Sequence, residues 1–272
     1  MVLKICIFCR SDTSQSVSVE HVIPGSLGNT TLILPKVIVC DKCNNYFARK
    51  VEKPFMELPE IKALRFHETI LNKRGRVPNM MGIMLPNIPA KFSYDNKSKV
   101  TNVEVPEFAM SELKEATQGE FILPMPALPQ PSMVVSRFLA KIAVECLALR
   151  LMHDDKSHRA SIDDIQLNAI RDHARRGTTH EWPISIRQIY ESDSRWTDAS
   201  GKSVQRVHES DFVYTPESEF YFVLSLFGVE MAINIAGPQI EGYVLWLQNN
   251  DNVSPFYNGK DYSNAEGMTK ES

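Results

Sequence analysis

The sequence predicts an α+β protein: a small module of short strands and one helix wrapped around two cysteine pairs, followed by a larger α+β domain. Three observations lead there. Cys6 and Cys9 form one CxxC pair, Cys40 and Cys43 form another, and thirty residues separate them. The hydrophobic pattern changes at Asp41 from short alternating runs to helical spacing. A length of 272 residues exceeds one typical domain, while 43% hydrophobic and 23% charged residues are ordinary for soluble globular proteins.

The first forty residues read as strands LKICIF, SVSVEHVI and LILPKVIV, with Pro24-Gly25 and Gly28-Asn29 as turn signals. From Asp41, DKCNNYFARKVEKPF places Cys43, Tyr46, Phe47 and Val51 at helical spacing, and a second helix is expected through ELPEIKALRFHETIL. Together these define an expected module over residues 1–76. Residues 77–131 hold eight of the sixteen prolines, and ILPMPALPQP is incompatible with a regular helix because proline lacks an amide donor. This segment reads mainly as a connection, in which AKFSY and KVTNVEV are able to pair as strands.

Residues 132–250 are expected to form the larger α+β domain. Val135, Phe138, Leu139, Ile142, Cys146 and Leu149 recur at helical spacing over 132–153. A further helix is expected over 161–176, with Ser161 as its cap and Arg175 and Arg176 at its end. WPISIRQIY, then FYFVLSLFGVEMAINIAG as a hairpin bent at Gly228, then GYVLWLQ read as strands, and 251–272 as a polar tail.

Net charge is −3, yet residues 1–76 carry 12 Lys/Arg against 7 Asp/Glu, a formal +5, while residues 77–272 carry a formal −8. The basic excess lies after Lys36, including Lys42, Arg49, Lys50 and Lys73, a modest footprint for phosphate. No run approaches the ~18 apolar residues of a membrane span. MVLKICIFCRSD has too short an apolar run for a signal peptide, so a cytoplasmic location is expected. In a reducing compartment the two CxxC pairs point to metal, and Zn2+ suits them. Each turn presents two thiolates to one tetrahedral ion, and the closed loop supports a module too small for a large core. A redox site would need only one pair. With four protein ligands this zinc is structural, without an open position.

Between the pairs lies Ser18-Val19-Glu20-His21-Val22-Ile23-Pro24, and Asn44 directly follows the second pair. An acidic residue followed by His, two apolar residues and Pro, then CxxCN, resembles the HNH or ββα-metal endonucleases, over roughly residues 3–55. The resemblance implies that His21 is a general base activating water against a phosphodiester, for which an ordinary imidazole pKa of about 6.5 is suited. It implies that Glu20 and Asn44 are catalytic residues that hold one Mg2+ or Mn2+, and that the substrate is nucleic acid, DNA favoured over RNA. It brings with it a setting in restriction or phage defence. Arg49 and Lys50 are candidate substrate contacts.

This sequence departs from the family pattern where Glu20 replaces a shorter Asp, where Pro35 stands in place of the middle Asn, and where Ala48 stands at a later helix position often His or Lys. Asn29 or a backbone carbonyl is then the candidate for orienting His21. Successive strand residues face opposite ways, so Glu20 and His21 serve one site only if the strand bends there. A zinc-containing nucleic-acid-binding module without catalysis would keep the cysteines, but has no use for Glu20, His21 and Asn44 together. The other histidines, His180 among them, show no paired metal spacing except His153 and His158, which stand one residue too far apart for a same-face helical pair, and Cys146 falls on an apolar helix face. For the 132–250 domain, a regulatory ligand or protein partner is the expected role.

Overall fold

The computed structural model describes residues 3–72, 74–110, 119–177, 182–197, 200–256 and 269–270. Lys73, His180 and most of the expected tail lie outside them. The chain divides into two compact units, and not at Arg76. One unit comprises 1–24, 29–55 and 128–272, the other 25–28 and 56–127.

In the first unit, two cysteine turns replace most of the expected N-terminal strands. The Arg10 amide donates to the Cys6 carbonyl and the Cys6 amide to the Ser11 carbonyl, both at 2.9 Å, and so tight a turn interrupts any strand. What remains is β1 (Glu20–His21) paired antiparallel with β2 (Ile33–Leu34), and an isolated bridge between Ile5 and Asp12. The expected helix follows as α1 (Asp41–Phe47), a π turn over Ala48–Glu52 and α2 (Lys53–Met56). Cys40 caps α1, its Sγ accepting from the Cys43 amide at 3.4 Å. Phe8 packs on Phe47 with ring centroids 4.4 Å apart.

The second unit corrects the reading of 77–131 as mainly a connection. It contains α3 (Pro59–His67) and a four-stranded antiparallel sheet of β3 (Met80–Met84), β4 (Ile88–Asp95), β5 (Val100–Glu104) and β6 (Phe121–Ile122), in the order β5-β4-β3-β6. AKFSY and KVTNVEV do pair, Phe92 opposite Val103. Alternate residues Ile88, Ala90 and Phe92 are buried with Ala63 and Phe66 of α3, and that shared core is why this helix groups with the sheet rather than with residues 1–55. Pro78, Pro86, Pro106 and Pro124 flank strands, where a missing amide donor is tolerated.

The chain returns to the first unit with α4 (Met133–Leu151), capped by Ser132, whose Oγ accepts from the Val135 amide at 3.4 Å. The single helix expected over 161–176 is instead two, α5 (Asp155–Asp163) and α6 (Asn168–Arg176), and Ser161 lies inside α5. Asp154 caps α5 through the Ser157 amide. The Arg171 guanidinium takes the carbonyls of Ser161 and Asp164, which ends the helix there.

A four-stranded antiparallel sheet follows, built from β7 (Ile184–Gln188), β10 (His208–Tyr214), β11 (Phe220–Leu226) and β12 (Val229–Asn234) in the order β10-β11-β12-β7, with β8 (Trp196–Thr197) and β9 (Ser203–Val204) in a smaller sheet. The hairpin at Gly228 forms as expected; its φ is +81°, and an added Cβ would collide with the Tyr190 carbonyl. GYVLWLQ is a helix, α7 (Glu241–Asn249), not a strand, because Tyr243 and Leu247, one turn apart, pack on Tyr221 and Val223 of β11. With α4 against β11 and β12, the sheet is covered on both faces. No helix among the described residues is long and apolar enough to cross a membrane.

The N-terminal residues and α4–α6 form one unit through specific contacts. Arg10 donates to the Ile162 carbonyl at 3.1 Å and to Asn168 Oδ1 at 2.6 Å. Phe55 and Phe138 stack with centroids 3.7 Å apart.

Candidate functional site

Cys6, Cys9, Cys40 and Cys43 come together with every Sγ within 4.8 Å of the others. A tetrahedral ion with bonds of ~2.3 Å to sulfur wants thiolates ~3.8 Å apart. The Cys9 to Cys40 separation is 3.5 Å, and the Cys40 amide points at Cys6 Sγ at 3.4 Å. Crowding divides the thiols: a hydrogen bond from Cys43 pulls Cys6 down to about 5, burial pushes Cys40 up to about 11, and the bond to Cys6 together with burial raises Cys43. A dication relieves that mutual repulsion, so the donor set fits a structural zinc.

β1 passes beside this cluster, and the first turn of α1 positions its approach. Asp41 Oδ1 accepts from the Ser18 amide at 2.8 Å, and the Ser18 hydroxyl first, then this amide, lower the Asp41 carboxyl pKa. The Asn44 side-chain amide donates to the Val19 carbonyl at 3.3 Å. Asn44 thereby touches the strand one residue before Glu20. The chain bends immediately after His21. Asn29, 2% exposed, holds that bend: its Nδ2 donates to the carbonyls of Ile23 and Leu32 at 2.6 and 2.9 Å, and its Oδ1 accepts from the amides of Thr31 and Leu32. Pro35 and Ala48, where family residues are missing, are both exposed. Asn29→Ala leaves the buried Ile23 carbonyl and the amides of Thr31 and Leu32 without this partner, while the Leu32 carbonyl keeps its bond from the Val22 amide, and is expected to cost about 2–3 kcal/mol in urea unfolding. A loss below about 0.5 kcal/mol would show that the bend is held by something else.

Glu20 and His21 take opposite directions on β1, as strand geometry requires. His21 is half-exposed, whereas Glu20 is 5% exposed and turned inward. There it meets Lys141 of α4, which is completely buried. Lys141 Nζ lies 2.6 Å from Glu20 Oε1, 2.8 Å from Glu52 Oε1 and 2.9 Å from Glu145 Oε2, and it donates to the carbonyls of His21 and Val22 at 3.1 and 3.2 Å. Burial opposes the ammonium, but the three carboxylates outweigh it and the lysine pKa stands well above its ordinary value. Burial raises the Glu145 carboxyl well above the usual range. The π turn shifts the phase of the helix so that Val51 stays buried while Glu52 reaches Lys141.

This arrangement bears on the expected Mg2+ or Mn2+. Such an ion takes about six oxygens in near-octahedral order. Glu20 is buried with Oε1 on an ammonium and so, as arranged, does not fit as a ligand of a hard cation, whereas the bond from Asn44 to the Val19 carbonyl uses only its amide nitrogen and leaves Oδ1 as the atom able to ligate.

Arg49 and Lys50 are exposed on the π turn, and Arg49 lines a pocket with Lys42 and Tyr46. Sequence reasoning missed Lys141, Glu52 and Glu145. One signal was available: Lys141 and Glu145 are an i, i+4 pair inside the otherwise apolar run FLAKIAVECLAL, where buried charges need partners.

Residues 6–58 match the sequence model of a family described as HNH endonuclease, and the four clustered cysteines agree with the zinc knuckle expected there. The match takes in both cysteine pairs, Glu20, His21, Asn29 and Asn44, and extends past the π turn. No curated protein and no solved structure matches the chain.

Proposed function

We propose that the HNH-like module is an endonuclease site in which His21 is the general base, acting on phosphodiester bonds of nucleic acid, DNA favoured over RNA. The placement of His21 carries this reading. It is half-exposed at the end of β1, while its own carbonyl is bonded to a buried ammonium and the bend after it is pinned by Asn29. A side chain so anchored through its backbone is suited to repeated proton transfer without losing aim.

In this mechanism a neutral imidazole nitrogen takes a proton from water as the water oxygen attacks phosphorus. The bond from phosphorus to the 3′ oxygen breaks, and that oxygen takes a proton from solvent, giving a 5′-phosphate and a 3′-hydroxyl. Glu20 and Asn44 serve as positioning residues, Glu20 through Lys141 and Asn44 through the Val19 carbonyl. A Mg2+ or Mn2+ ion, implied by the resemblance, would supply Lewis-acid stabilisation of the leaving oxygen. Its capture by Glu20 and Asn44 would require Lys141 to release Oε1. A role in restriction or phage defence belongs to the same proposal and rests on the resemblance.

Plasmid DNA and RNA incubated with zinc-loaded protein, with zinc alone and with added Mg2+ or Mn2+, test both parts. His21→Ala is expected to reduce cleavage by about 10²–10⁴-fold. Equal cleavage by both proteins removes His21 from the reaction. Cleavage only with added Mg2+ or Mn2+ supports the second metal, and cleavage on zinc alone rejects it. If no substrate is cut under any of these conditions while nucleic acid is bound, the zinc-containing binding module is the better reading.

A further inference from the structure

A pocket of about 290 Å3 lies between α1 with its π turn and the C-terminal end of α6. It is lined by Lys42, Cys43, Tyr46, Arg49, Arg175 and Arg176: four cationic side chains and no carboxylate. Like charges converging on one cavity repel, so the arrangement calls for a counter-charge. One is at hand, since four thiolates on a zinc ion carry a net charge of about −2, and Cys43 reaches the pocket wall. Two units do not match four cations.

The helix end itself has been made compatible with an anion. The C-terminus of a helix normally repels negative charge through its unpaired carbonyls. Here Arg137 covers them, donating to the Ala174 carbonyl at 3.1 and 3.3 Å and to the Arg175 carbonyl at 3.0 Å. Gly177 at φ +59° ends the helix, its amide on the His173 carbonyl at 2.9 Å, and an added Cβ would lie 2.8 Å from the Arg137 side chain. Arg137 also donates to the Tyr46 hydroxyl at 2.8 Å. With its oxygen accepting there, Tyr46 has its own proton to donate into the pocket. Among the described residues, Arg49 spends Nε alone, on the Asn45 carbonyl at 3.4 Å. Arg176 meets Asp172 at 3.6 Å in a pair about half exposed, which solvent and salt weaken. Among the described residues, Lys42 and Arg175 have no ion-pair partner.

We infer that this pocket binds a phosphodiester group of the nucleic-acid backbone away from the bond that is cut, so that α6, more than a hundred residues further along the chain, completes the substrate surface of α1. The inference rests on the nuclease reading for its choice of ligand. Convergent guanidinium groups suit phosphate oxygens by geometry as well as charge, and α1 also carries Asn44, which docks on the His21 strand.

The test uses the full-length chain with His21→Ala, so that binding is measured without cleavage. Anisotropy of a labelled duplex is recorded across a salt series for that protein and for the same protein with Arg175→Gln and Arg176→Gln. Removing two of the cations that hold this phosphate is expected to lower the salt slope by about 1 and to weaken binding about tenfold or more near 0.1 M salt. Arg→Lys at both positions should restore most of the slope. Unchanged slope and affinity overturn the inference, as does a reference protein that binds neither DNA nor RNA. Zinc content and thermal midpoint are measured alongside: zinc lost while binding is unchanged would assign the cations to the thiolate cluster instead. Millimolar inorganic phosphate that binds the pocket without displacing the duplex would make free phosphate the ligand, not the backbone, and also overturn it. Because cleavage is not read, a dispensable His21 would end the nuclease reading and leave this result standing.

Discussion

Removal of zinc should cost the protein its N-terminal structure. β1 and β2 have two residues each, too few to hold the cysteine turns by themselves. Phe8 and Phe47 pack where the two turns meet, so separating the turns also exposes that pair. Structural zinc contributes an apparent ~10–16 kcal/mol in small zinc-finger peptides, which exceeds the whole stability of a typical domain. The wild-type chain is expected to hold one zinc per molecule. Cys40→Ser should hold well under one, show protease cleavage within residues 3–55 and lose all cleavage of nucleic acid. Acidification should release the ion as protons compete for the thiolates. A zinc-free protein with an unchanged unfolding midpoint and unchanged proteolysis would remove zinc from the account of this fold.

Lys141→Ala is expected to be the most damaging single substitution outside the cysteines. Lys141 is fully buried and neutralises carboxylates that are themselves buried, Glu20 and Glu145 almost completely. Deleting one partner of such a cluster leaves uncompensated charge in the interior, at about 3–5 kcal/mol. The two backbone carbonyls of His21 and Val22 lose their donor as well. Urea unfolding should therefore shift by that amount, and cleavage should fall in parallel because β1 is no longer anchored. Lys141→Met with Glu20→Gln and Glu145→Gln removes charge from both sides and should recover much of the stability. If it recovers stability but not activity, the cluster aims the catalytic strand; if Lys141→Ala unfolds within about 0.5 kcal/mol of wild type, the cluster holds nothing. For the same reason a fragment ending at Arg76 lacks Lys141, Arg137 and Phe138, and is expected not to keep the wild-type arrangement of Glu20 and His21.

Much of the candidate site was legible in the sequence because its geometry is local. A CxxC pair makes a tight turn, so the meeting of Cys6, Cys9, Cys40 and Cys43 was readable as two such turns with a donor set that suits one ion. The start of α1 at Asp41 and the hairpin at Gly228 were equally readable, since each depends on a few neighbouring residues. Period and composition failed where the partner decides. GYVLWLQ has the apolar content of a strand, and only its packing of Tyr243 and Leu247 against β11 made it a helix. The proline-rich 77–131 segment became a sheet because α3 offers its strands a face to bury.

By itself the sequence determined that the N-terminal residues form a four-cysteine, HNH-like module with His21 on a short strand, because spacing over a few residues is enough for a turn, a cap or a metal knuckle. The tertiary structure alone decided what stands behind Glu20. Lys141 lies 121 residues further along the chain, and Glu52 joins it from the last residue of a π turn. Local spacing carries no information about which distant charge will be buried against a strand. That choice is made when α4 packs on the module, where an ammonium without its carboxylates would be too costly to bury.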